Sequence, residues 1–110
     1  MDQNQDLIEQ NQEIIEQNQE KFEENQEILE QNQKLIENNL ENIVHSENQV
    51  ENLVNMVQNE QMMEQNEKII EENQKINLEN LEIKVENEEI LEQNKNLNLE
   101  NNKEVQNQEQ

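Results

Sequence analysis

The sequence predicts an all-α protein: a long amphipathic helix forming a coiled coil, a single rod rather than a globular domain, with frayed or disordered ends. Three observations lead there. Between residues 6 and 40 the segments DLIEQNQ, EIIEQNQ, EKFEENQ, EILEQNQ and KLIENNL follow one another without a gap. A fixed period of this kind decides the architecture before any other feature is weighed. Wound at about 3.5 residues per turn, the repeat sorts into an apolar stripe and an acid face. Finally, the chain of 110 residues has no Gly, Pro, Cys or Trp, and no Ala, Thr, Arg or Tyr either, while Asn and Gln together number 41.

The wheel makes the stripe explicit. One column holds Leu7, Ile14, Lys21, Ile28 and Leu35, and the next holds Ile8, Ile15, Phe22, Leu29 and Ile36. Between them runs a column of Asn11, Asn18, Asn25, Asn32 and Asn39. The opposite side is Glu and Gln, including Glu9, Glu16, Glu23, Glu30 and Glu37. No strand alternation yields that order.

Residues 1–5 (MDQNQ) have little apolar anchoring and are expected to be a disordered N-terminus. Residues 6–57 form the first register of the repeat, its column running Ile8, Ile15, Phe22, Leu29, Ile36, Ile43, Val50 and Val57. That exceeds the three or four heptads that a coiled coil asks for. Asn or Gln occupies one of the two seam positions in any reading, and a buried Asn sets register at a cost in stability. Association of several helices is therefore expected, with a trimer or tetramer as suitable as a dimer.

Residues 40–57 (LENIVHSENQVENLVNMV) are the densest apolar stretch, and the most stable part of the coiled coil is expected there. Within it, SENQ at 46–49 has the form of a capping box that starts a helix. Turns draw on Gly and Pro, which the chain lacks, so the expectation is one continuous helix that does not fold back. After Val57 the pattern slips by one residue. The main column becomes Met62, Ile69, Ile76, Ile83, Ile90 and Leu97, and the Asn column Asn52, Asn59, Asn66, Asn73, Asn80, Asn87, Asn94 and Asn101. Such a slip alters winding locally, which makes residues 57–63 a candidate flexible point. Residues 58–99 are the second register, and 100–110 are expected to be a disordered acidic and amide-rich tail.

Charge and motifs narrow the function classes. The formal net charge is -21, from 28 acids against 7 lysines. Phosphate backbones and anionic lipid surfaces attract the opposite sign, so neither nucleic acid nor membrane is an expected partner. The longest apolar runs are two residues, too short to span a bilayer or to form a signal segment, and the start lacks a basic region. A cytoplasmic location is the default. His45 is the single imidazole, with no Cys beside it, so it makes no metal site or catalytic dyad. Acid pairs such as Glu9 with Glu13 need a pocket to do acid–base work, and a solvated face offers none. A Ca²⁺ loop needs a Gly at its turn. No cofactor, no small-molecule substrate and no enzymatic activity are expected.

Most of the chain resembles low-complexity coiled-coil stretches in general, through the EIIEQNQ-type heptad. The reading that follows is a non-enzymatic structural or interaction protein, a self-associating acidic coiled-coil rod up to roughly 165 Å long at about 1.5 Å per residue. Its partner is itself or another amphipathic helix. The expected oligomerisation interface is Ile8, Ile15, Phe22, Leu29, Ile36, Leu40, Ile43, Val50, Leu53, Val57, Met62, Ile69, Ile76, Ile83, Ile90 and Leu97. A second reading is an intrinsically disordered Asn/Gln/Glu-rich repeat that folds on a partner helix or has no selected function.

Favourable Glu-to-Lys pairs at i,i+4, with Glu the N-terminal member, are few (Glu30 with Lys34, Glu64 with Lys68, Glu71 with Lys75), whereas like-charge pairs at that spacing are many. Neutralising or screening the acid face removes that repulsion. Helix content followed by circular dichroism is expected to rise as pH falls from about 7 towards 4, or as salt is added. A flat or falling signal would contradict the repulsion argument.

Overall fold

The structure is a computed structural model that describes residues 2–109, with side chains described for residues 3–105. The protein is all-α. Helix α1 spans Asp2–His45 and α2 spans Gln49–Glu109, and among the described residues there is no strand. Helical geometry runs through 2–5 and 100–109, where the sequence pattern predicts fraying; Met1 and Gln110 lie outside the described residues. Helix α2 also passes through 57–63, the candidate flexible point, without interruption.

The expectation of one continuous helix is corrected at residues 46–48, where the chain turns. Side chains supply what Gly or Pro supply elsewhere. The Asn48 Oδ1 accepts hydrogen bonds from the Val50 amide at 3.1 Å and the Glu51 amide at 3.2 Å. Asn48 is thus the N-cap of α2, satisfying two of the amides that a helix start leaves without partners. The Asn48 amide donates to Ser46 Oγ at 3.2 Å, and Asn52 Nδ2 donates to the Ser46 carbonyl at 3.0 Å. No described residue takes a positive φ. A left-handed residue, the usual reason for glycine, is not needed in this turn. The box at 46–49 marks the right place, but the capping side chain is Asn48, two residues after Ser46.

Two compact units are described in turn. The first to consider is Gln19–Ile76, which contains the turn. Asn25 Nδ2 donates to Asn73 Oδ1 at 2.8 Å, Asn32 to Asn66 at 2.8 Å and Asn39 to Asn59 at 2.9 Å. Residue numbers rise on one helix as they fall on the other, so the helices are antiparallel. In each pair the two residue numbers total 98. The same register sets Phe22 level with Ile76, Leu29 with Ile69 and Ile36 with Met62. Ile36, Ile69 and Ile76 are buried, and Phe22, Leu29 and Met62 are half-buried. Amide layers and apolar layers therefore alternate along this seam.

The other unit is Met1–Asn18 with Asn77–Gln110. Here Asn4 donates to Asn94 at 2.6 Å, Asn11 to Asn87 at 2.8 Å and Asn18 to Asn80 at 2.9 Å, and these residue numbers again total 98. Ile8 stands level with Ile90 and Ile15 with Ile83, the two α2 residues being buried.

The register slip in the sequence has its cause in this geometry. In α1 an Asn follows its apolar neighbour by three residues, as Phe22 and Asn25, whereas in α2 it precedes by three, as Asn73 and Ile76. Reversing one helix turns a three-then-four spacing into four-then-three. Only that exchange lets Asn face Asn and apolar face apolar at every layer of an antiparallel pair.

Replacing Asn48 by Ala takes the acceptor from both capped amides at once. Urea unfolding is expected to show a loss of about 1 kcal/mol. Asp at this position, which keeps the acceptor, is expected to retain most of that stability.

Candidate interaction surface

The geometry offers two surfaces, one used and one left open. The used surface is the Asn seam. In the unit Gln19–Ile76, Asn25, Asn32, Asn59 and Asn73 are buried, Asn25 to 3% exposure. Burying a carboxamide is unfavourable unless it is hydrogen-bonded, which the facing Asn ensures. Each such bond is worth a net 0.5–1.5 kcal/mol, roughly, beyond the larger cost of leaving it unmade. Asn32 Nδ2 also reaches Gln65 Oε1 at 3.1 Å, and Asn59 Nδ2 reaches the Ile36 carbonyl at 3.4 Å. Among the described residues two buried side-chain atoms are left without a partner, Asn73 Nδ2 and Asn52 Oδ1. The Asn25–Asn73 layer thus uses the donor of Asn25 and the acceptor of Asn73, and leaves the Asn73 Nδ2 group donating to nothing.

The open surface is the second apolar column of each helix, on the far side of the Asn. In the unit Gln19–Ile76 these are Ile28 and Leu35 on α1, 37% and 51% exposed, and Met63 and Ile70 on α2, 49% and 46% exposed. In the other unit they are Leu7, Ile14 and Leu91. Lys21, which belongs to the Ile28 column, lies 3.8 Å from Glu72 of α2. A shallow depression lined by Leu35, Asn39, Gln58, Gln61, Met62 and Gln65 adjoins the same column. Gln58, Gln65 and Glu72 are spaced by seven, so the α1 apolar column abuts a polar column of α2. It stays half exposed for that reason. The Lys21–Glu72 pair is itself about half exposed, where an ion pair contributes little.

The sequence-predicted interface residues are distributed unevenly. Ile36, Ile69, Ile76, Ile83 and Ile90 are buried, and Ile8, Ile15, Phe22, Leu29, Ile43 and Met62 are half-buried. These lie in the seam between α1 and α2 of one chain. Leu40, Val50, Leu53, Val57 and Leu97 are exposed, from 46% at Val57 to 72% at Val50. The stretch 40–57 is therefore not the most buried part of the structure, because it flanks the turn, where the helices have no further layer to pack against. What the column pattern concealed was the Asn pairing itself. The exchange of Asn and apolar spacing between the two halves was its signal.

The turn carries a depression of about 550 Å³ lined by Asn42, His45, Ser46, Val50, Glu51, Val54 and Asn55. Ser46 Oγ serves there as acceptor for the Asn48 amide. Among the described residues no hydrogen bond joins His45 to Ser46 or Glu51, and no group of three metal-ligating side chains occurs. No described helix is long and apolar enough to cross a membrane. Paired amphipathic helices of this kind fit a structural or interaction role.

Compared with protein-family models, with curated proteins and with solved structures, the chain matches none.

Asn25→Leu alone leaves the Asn73 carboxamide buried with neither group bonded, and is expected to cost about 1–3 kcal/mol. Adding Asn73→Leu removes that orphan and is expected to recover the loss or exceed it. A double-mutant cycle on urea unfolding reads the coupling; additive effects would show that the pair is not acting as a layer.

Proposed function

We propose that this protein is a non-enzymatic structural or interaction module that self-associates through its exposed apolar columns. The observation that carries the reading is the half-exposed pair Ile28 and Leu35, set beside a polar column rather than an apolar one. Covering such side chains returns about 25 cal/mol per Å² of apolar surface. A second copy presents apolar residues at the same seven-residue spacing, so contacts repeat along the column instead of matching at one point. The 28 acids oppose association elsewhere on the surface and confine it to this face. The reading includes no catalysis, cofactor, nucleic acid, membrane or small-molecule substrate, in keeping with the acidic charge and the want of a chemical motif.

Sedimentation velocity over a hundredfold range of concentration tests the reading. Oligomers are expected to grow with concentration and with salt, since salt screens the acid faces. Ile28→Gln with Leu35→Gln is expected to weaken association at least tenfold while leaving the helix content unchanged. A monomer at all concentrations, or a double variant that associates as the parent does, would refute it.

A further inference from the structure

We propose that, apart from contact through the exposed columns, two copies also form an exchanged antiparallel dimer, in which residues 46–48 straighten into helix and α1 of each copy pairs with α2 of the other through the Asn seam. This goes beyond the reading just given, because the contact between copies is the seam itself and not the column of Ile28 and Leu35. Three observations carry it, all from the unit Gln19–Ile76.

The seam does not depend on its two helices being one chain. Asn25 with Asn73, Asn32 with Asn66 and Asn39 with Asn59 bond between facing side chains, and the same layers form between copies at the same register. Exchange of an identical element is a low-cost route to a dimer for that reason.

The turn offers no obstacle to straightening. The whole chain has no Pro and no Gly, and no described residue takes a positive φ. The amides of Asn48, Val50 and Glu51 are held by side chains of Ser46 and Asn48. In a continuous helix each donates to the carbonyl four residues earlier instead, so its bond is replaced and not lost.

The apolar column runs through the turn. Ile36 and Ile43 are followed at seven-residue spacing by Val50 and Val57, with Leu53 three beyond Val50. With the turn in place, Val50 is 72% exposed, Leu53 63% and Val57 46%. A helix continuous through 46–48 brings them into line with Ile36 and Ile43, where the hinge of a second copy passes and covers them. A chain made only to turn at 46–48 has no need of a column that continues past its turn. The intrachain form competes through its short connection, which holds the helices at millimolar effective concentration. Exchange therefore gains ground as protein concentration rises.

Because the protein has no native Cys, two single variants test this directly: Asn25→Cys and Asn73→Cys, unfolded together, refolded and oxidised. In the turned form each Cys faces an Asn of its own chain and no cross-link forms. In the exchanged form Cys faces Cys across copies, and a covalent heterodimer is expected whose yield rises with concentration. Asn48→Ala in both chains is expected to shift the equilibrium towards it by about fivefold for each hinge. Helix content by circular dichroism confirms that the variants fold, and Leu29→Cys with Ile69→Cys, level in the same register, supplies a second pair if the Asn variants do not. Oligomers in sedimentation without heterodimer at any concentration would overturn the exchange and leave association through Ile28 and Leu35 standing. Absence of both oligomers and heterodimer would overturn both.

Discussion

The hydrogen bond between facing Asn carboxamides is the constraint on which the rest of this fold depends. An apolar seam alone does not choose among registers, since one aliphatic side chain covers another at many offsets. A buried carboxamide does choose: a slip of three or four residues sets Asn32, for example, against Met62, Met63, Ile69 or Ile70 and leaves it unpaired. Asn25 and Asn73, Asn32 and Asn66, and Asn39 and Asn59 thereby set the phase in one unit, as Asn11 and Asn87 do in the other. The cost is stability. Half the layers forgo an aliphatic pair, and Asn is among the weaker helix formers, by up to about 0.7 kcal/mol per residue against Ala.

The amides leave one ambiguity, which the turn resolves. Because every Asn recurs at seven, a slip of one whole heptad again sets Asn against Asn. The three-residue connection removes that freedom: with α1 ending at His45 and α2 starting at Gln49, the register centred between them is the one the chain can reach. Phase comes from side-chain chemistry and absolute register from the connection. Ser46, Asn48 and Asn52 accomplish this with side-chain hydrogen bonds to the local backbone, in a sequence without the residues usually assigned to turns.

Much of this was legible in the residues. The period of seven, the helical class and the identity of the central apolar columns follow from Ile8, Ile15 and Phe22, and from Ile69, Ile76 and Ile83, by spacing alone. The turn was less legible because its signal is small. SENQ differs little in composition from the EQNQ and EENQ units of the repeat, and it acts through the position of one Oδ1 atom. The exposure of Val50, Leu53 and Val57 was not legible either, since apolar density measures what a stretch can bury and not whether a partner stands opposite. The information that the two halves face each other was present in the changed order of Asn and apolar residues. It reads as a slip when the chain is followed in one direction, and as complementarity only when one half is read backwards.

The alternating layers also bear on how such a sequence can change. Insertion of one residue in α1 rotates everything beyond it by about 100°, so each later Asn leaves its partner and each later Ile turns towards water. Insertion of seven carries every later layer onto the next equivalent one, amide on amide and aliphatic on aliphatic. In-frame duplication of one heptad's coding unit is therefore close to neutral for packing, whereas nearly every smaller insertion is not. A seam built this way filters genetic change by length: it admits whole units, rejects fractions, and lets the two arms lengthen in steps while every internal contact keeps its kind.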